Sequence, residues 1–133
     1  MPVRPAPASA ARRRGPGVSA AIMPAMNELA SKTCVPCRGG VPPMEGADVE
    51  EYLGKIEGWG HSDHRRISRT FVFPDFAGAL DFANRVGGIA EAEGHHPDLL
   101  VAWGRVEVTI WTHKINGLTE SDFILAAKID QLA

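Results

Sequence analysis

Apolar residues recur along the chain at two periods, and each period predicts an element. In residues 75–93, Phe76, Leu80, Ala83, Val86 and Ala90 stand three and four apart, as on one face of a helix. Gly94 closes that run, since a glycine just past the last periodic residue takes the left-handed conformation, and Pro97 prevents the helix from resuming. Residues 48–56 repeat the helical spacing with Val49, Tyr52, Leu53 and Ile56, and stop at Gly58. Residues 59–64 and 67–73 read as strands, with Ile67, Phe71 and Phe73 sharing one side of the second. Residues 99–103 and 106–113 are two more β-rich runs, with Gly104-Arg105 predicted as the two-residue turn of a hairpin. After a turn at 114–118, Thr119 reads as an N-cap. Asp122 sits at the capping-box position before the apolar residues Phe123, Ile124, Ala126, Ala127, Ile129 and Leu132.

The order helix, strand, strand, helix, strand, strand, helix predicts an α+β fold: a four-stranded antiparallel sheet with three helices packed on one face. A length of 133 residues fits one domain. Residues 33–133 are expected to form it and residues 1–32 to be a disordered tail or an upstream-start extension, with Met23 or Met26 as the start. The first 27 residues contain no acidic residue, are rich in Ala and Pro and carry the triplet Arg12-Arg13-Arg14, a composition that buries too little apolar surface to order itself. A formal charge of −2 argues against a nucleic-acid-binding surface. No run approaches the roughly 20 apolar residues that span a bilayer.

The chemistry gathers between Glu91 and Asp122. His95 and His96 lie at a helix-to-strand corner. Extended backbone, favoured before Pro97, points adjacent side chains to opposite sides, so the two imidazoles are expected to do different jobs. His113 lies at the far end of the second hairpin strand, and folding the hairpin returns it towards that corner. With no serine or cysteine nucleophile beside them and no phosphate-binding glycine loop, three histidines point to proton transfer, because an imidazole with a pKa of about 6.5 both gives and accepts protons near neutrality. Cys34 and Cys37 form one C-x-x-C without the second ligand pair that structural zinc needs. Pro36 and Gly39-Gly40 place that motif in a loop rather than at a redox-active helix start. Thiols kept as thiols fit a cytoplasmic location. His61 and His64 read as solvated loop residues.

Glu91, three residues, His95-His96-Pro97, five residues, Trp103, nine residues, His113, eight residues, Asp122: this pattern resembles the signature of the pterin-4a-carbinolamine dehydratases. Gly58-Trp59, the strand at Phe71-Val72-Phe73 and the closing Gly117-Leu118-Thr119 stretch are also similar, so that the likeness spans roughly residues 33–130. The resemblance implies a hydro-lyase that removes water from 4a-hydroxytetrahydrobiopterin to give quinonoid dihydropterin, recycling the pterin without cofactor or metal. It implies His95, His96, His113 and Asp122 as catalytic residues. Glu91 and Trp103 become substrate-binding residues, Glu91 bracing His95 from one turn earlier. It also implies a homodimer or homotetramer with no membrane and no direct nucleic-acid partner. Lys114 and Leu99 depart from the commonest family pattern, outside the fixed signature.

Three other classes compete. Some relatives are non-catalytic dimerisation or assembly cofactors for another protein, although such forms generally lose the histidines that this chain keeps. Three histidines are also a zinc-hydrolase ligand set. The C-x-x-C is compatible with a redox carrier.

Overall fold

The computed structural model describes residues 28–34 and 42–133. The expected disorder of residues 1–27, and the loop reading of Pro36, Cys37 and Gly39-Gly40, fall outside the described residues.

The first long element, α1 (Gly46–Leu53), buries Val49. A hairpin of β1 (Gly60–Ser62) and β2 (Arg66–Val72) follows. Helix α2 (Phe76–Glu93) opens where the Asp75 carboxylate accepts the Gly78 N–H at 2.8 Å and closes on Gly94 at φ 66°, the left-handed geometry that glycine adopts without strain. The second hairpin is β3 (Asp98–Ala102) and β4 (Arg105–Ile110), and α3 (Glu120–Asp130) ends the domain. The sheet order is β1-β2-β4-β3, antiparallel throughout, so the two hairpins meet along β2 and β4. This is the expected α+β architecture. No helix among the described residues is long and apolar enough to cross a membrane.

Strand alternation divides the sheet cleanly. Ile67, Phe71, Val106, Val108 and Ile110 are buried under the helices, while Thr70, Val72 and Glu107 face outward and are exposed. Helix α3 is buried from Ser121 to Ala127 on every side and again at Ile129. Each fully buried Leu, Ile or Phe there contributes roughly 1.5–3 kcal/mol, which makes α3 the centre of the core. Leu29 and Ala30, on the tail side of the expected boundary at 32/33, are buried in that core, and Lys128 Nζ donates to the Ala30 carbonyl at 2.7 Å.

Three local expectations need correction. Ala102 pairs with Arg105, so the turn is Trp103-Gly104 rather than Gly104-Arg105, and Gly104 supplies the positive φ of 78°. Strand β4 ends at Ile110, and His113 opens a short 3-10 turn, His113–Ile115. On α2 the buried stripe is Ala79, Phe82, Ala83, Val86 and Ala90, whereas Phe76 and Leu80 are exposed. The helix carries apolar residues on two faces, and only the one over the sheet is covered.

Candidate active site

Asp122 is the hub. It occupies the third position of α3, where the N-terminal N–H groups have no partner within the helix. Its Oδ2 accepts the Thr119 N–H at 2.8 Å, as in a capping box. That oxygen also accepts the Thr112 hydroxyl at 2.8 Å, and Oδ1 accepts from His95 Nε2 at 2.6 Å. The Asp122 side chain is fully buried and that of His95 is 11% exposed. Capping and orienting an imidazole, two readings of Asp122 that compete in the sequence, are performed by its two oxygens at once.

The hairpin explains why these residues meet. Asp98 is the first residue of β3 to pair, opposite Thr109. Continuing that register past the paired residues sets His95 opposite Thr112, so one carboxylate bridges both. Thr112 is held by a bridge to Gly117, its N–H donating to the Gly117 carbonyl at 2.8 Å. A side chain at Gly117 would run into Pro43, so this close approach requires glycine.

With Nε2 bonded to the Asp122 carboxylate, His95 carries its proton there in the neutral ring. Nδ1 then presents the lone pair. His113 follows Thr112 directly and is exposed, resting edge-on against Trp111 with ring centroids 4.3 Å apart. His96 is exposed, and its Nε2 pairs with Glu91 Oε2 at 2.5 Å. Glu91 therefore braces His96 rather than His95. The left-handed Gly94 turns the chain back so that the last turn of α2 reaches the second imidazole.

The structure does not gather every residue singled out by the sequence. Trp103 sits in the turn at the other end of the hairpin, 73% exposed. Five residue steps along the strand separate it from Asp98, roughly 17 Å at the usual rise, so within one chain it does not share the corner with the histidines. A hollow of about 430 Å³ lies between residues 42–48 and Leu118, Thr119 and Glu120, touching the Asp122 cap but none of the three histidines. His96 and His113 are exposed, whereas His95 is largely covered. Thr112 has no distinguishing signal in the sequence, and only the strand register points to it.

Other groups narrow the chemistry. Burial pushes the Cys34 thiol up to about 12, with the nearby Glu93 carboxylate adding to the effect, so Cys34 stays a thiol near neutrality and is a poor nucleophile. At the other end of α3, burial raises Asp130 to about 6, against the opposing pull of Trp59 and Arg69. Trp59 Nε1 lies 3.0 Å from both Asp130 oxygens, and Arg69 donates to Oδ1 at 2.9 Å. Among the described residues, the ligand atoms that close to within 4.8 Å of one another belong to Glu50, His61 and His64 rather than to His95, His96 and His113.

Known proteins resemble this chain over most of its described length. Residues 42–132 match the family model described as pterin 4 alpha carbinolamine dehydratase. A protein of Rubrobacter xylanophilus named for that dehydratase is 54% identical over 107 residues, covering 80% of this chain and all of its own length. A Halorhodospira halophila protein of the same name is 54% identical over 105 residues, covering 78% of this chain and 96% of its own. Among solved structures, a transcriptional coactivator/pterin dehydratase from Brucella melitensis superposes with a TM-score of 0.64 at 37% identity, over 68% of this chain and 98% of its own. A pterin dehydratase-like RuBisCO assembly factor of the alpha-carboxysome shares the fold, with a TM-score of 0.50 at 21% identity over 59% of this chain and 92% of its own. With residues 42–132 matched by the family model and a relative 54% identical over 80% of its length, the chain belongs to the pterin 4 alpha carbinolamine dehydratase family, a family of hydro-lyases.

Proposed function

We propose that this protein dehydrates 4a-hydroxytetrahydrobiopterin to quinonoid dihydropterin by histidine acid/base catalysis. The observation that carries the reading is the pairing of His95 with the buried Asp122 carboxylate, which fixes the ring and leaves Nδ1 as the proton acceptor. In the elimination, the N5 proton passes to a base, and the N–H electron pair forms the N5=C4a double bond. The C4a–O bond breaks, and the hydroxyl takes a proton and departs as water. His95 Nδ1 serves as the base. His113, one residue beyond the Thr112 that shares Asp122, serves as the acid. His96, braced by Glu91, holds and orients the pterin ring. One positioned acid or base contributes about 10² to 10⁴ in rate.

Trp103, at the opposite end of the hairpin, meets a pterin only if a second chain brings it to the corner, which fits the homodimer or homotetramer that we also assign. Supporting that assembly, β3 is an edge strand and Val72 and Leu100 are exposed apolar residues on the open face of the sheet. We place the protein in the cytoplasm.

Stopped-flow measurement of 4a-hydroxytetrahydropterin loss tests the mechanism. His95→Ala and His113→Ala are each expected to slow dehydration by at least about tenfold. Wild-type rates in both variants would overturn the site.

A further inference from the structure

The chain holds a second constellation of histidines, on the far side of the sheet order from the catalytic corner. His61 in β1 and His64 in the following turn stack with ring centroids 4.0 Å apart and planes 20° from parallel. Both aim Nε2 at the same atom: Glu50 Oε2 on α1 lies 3.2 Å from His61 Nε2 and 2.9 Å from His64 Nε2. These residues offer ligand atoms that all fall within 4.8 Å of one another. They lie at the surface, as the sequence suggests, and both pair with Glu50.

The backbone beneath them is unusual as well. Arg65 N–H closes the turn onto the Ser62 carbonyl at 2.8 Å, and the two central residues, Asp63 and His64, have φ of 51° and 55°. A hairpin turn with both central residues left-handed favours Asn or Asp followed by glycine. Here the second position holds histidine, which accepts the strained conformation and places its imidazole against His61 and Glu50. The His64 N–H also donates to His61 Nδ1 at 3.1 Å, tying the first ring to the turn.

We propose that Glu50, His61 and His64 form a binding site for a divalent transition-metal ion of the zinc class. Two imidazole nitrogens and one carboxylate oxygen are the donor set that zinc takes at an open site, with the fourth position left to water. Binding exchanges the Nε2 protons that now bridge to Oε2 for the ion. His61 must then carry its proton on Nδ1, so its bond from the His64 N–H is given up and the stacked rings splay. That rearrangement makes the site weaker than a closed four-ligand structural centre. Its consequence is mechanical: the ion clips α1 to the β1-β2 hairpin, two elements separated in sequence by the segment carrying Gly58 and Trp59. Catalysis at His95 does not pass through it.

Calorimetric titration of the full chain with zinc chloride, in a buffer that does not chelate metal, tests the site. A Cys37→Ser background removes one thiol of the C-x-x-C. In that background one ion per chain is expected to bind. The His61→Ala/His64→Ala double variant should lose one ion per chain, and Glu50→Gln should bind it at least about tenfold more weakly, in the range by which a lost ligand or supporting group lowers metal affinity. Zinc should raise the thermal midpoint of the parent and leave that of the double variant unchanged. Circular dichroism of the variants should match the parent, since all three side chains are at the surface. Absence of binding in the parent, or undiminished stoichiometry in the double variant, would overturn the assignment.

Discussion

Helix α3 carries an aspartate with a buried side chain at each end, and their partners give them different work. Asp122, at its start, holds a histidine, a threonine hydroxyl and a backbone N–H. Asp130, at its end, holds the Trp59 indole and the Arg69 guanidinium. A guanidinium stays charged and an indole keeps its proton at any ordinary pH, so Asp130 can only tether the helix to β2 and to the residues that precede β1. The imidazole on Asp122 has a second ring nitrogen, which carries a lone pair when Nε2 holds the proton. In the proposed mechanism, a buried carboxylate takes part in proton transfer through a partner that can exchange protons. Burial alone makes it structural.

Removing the carboxylates separates the two roles, starting with the largest effect. Asp122→Ala leaves the Thr119 N–H and the His95 Nε2–H without an acceptor, and the Thr112 hydroxyl with only Thr119 Oγ1 at 3.3 Å. Each buried orphan costs about 1–3 kcal/mol, so urea denaturation is expected to show a loss of about 3 kcal/mol or more. A near-native midpoint would mean that Asp122 is no structural hub.

Asp130→Asn acts on the pH profile. The Asp130 carboxyl titrates near 6 in the folded chain against an ordinary value of 3.8. The folded state therefore binds the proton more tightly, and the resulting stability is fully present below about 4 and is lost as pH rises through about 6. In urea midpoints taken from about pH 4 to about pH 7, the parent should fall relative to Asp130→Asn. The dehydration rate of the variant should be unchanged, and a parallel pair of profiles would remove Asp130 from the account of stability. The smallest effect belongs to Thr112→Val, which deletes one hydrogen bond to Asp122 and is expected to cost about 1–2 kcal/mol. It should slow dehydration only a few-fold, as befits a positioning residue, with Thr112→Ser restoring the rate. A tenfold loss that serine does not restore would give Thr112 a larger part.

The fold was legible because its periods are clean. Helical spacing placed α1 and α2, alternation placed the strands, and Gly94 marked the end of α2 where its left-handed backbone does so. The errors arose where composition underdetermines geometry. Phe76 and Leu80 obey the helical period as well as the buried stripe does, and nothing in one chain's pattern says which apolar face meets the sheet. Trp103-Gly104 and Gly104-Arg105 are both two-residue turns with a glycine, and only the pairing of Ala102 with Arg105 separates them. At the candidate site, the histidines and Asp122 carry their chemistry in their names. Thr112 does not, since a threonine in a β-rich run is ordinary. The Asp130, Arg69 and Trp59 cluster was illegible for a related reason: its members lie far apart in sequence, and each is common alone. The Glu91 to His96 contact depends on how sharply the chain turns at Gly94, which spacing leaves open.

The most direct test compares the two aspartates in one assay. Single-turnover dehydration of 4a-hydroxytetrahydropterin at pH 7 is measured for Asp122→Asn and Asp130→Asn, each shown to be folded by near-ultraviolet circular dichroism. The amide at 122 alters the group that fixes the His95 tautomer, so that variant is expected to slow by at least about tenfold while the variant at 130 keeps the parent rate. Equal rates in the parent and folded Asp122→Asn would contradict a working His95–Asp122 pair.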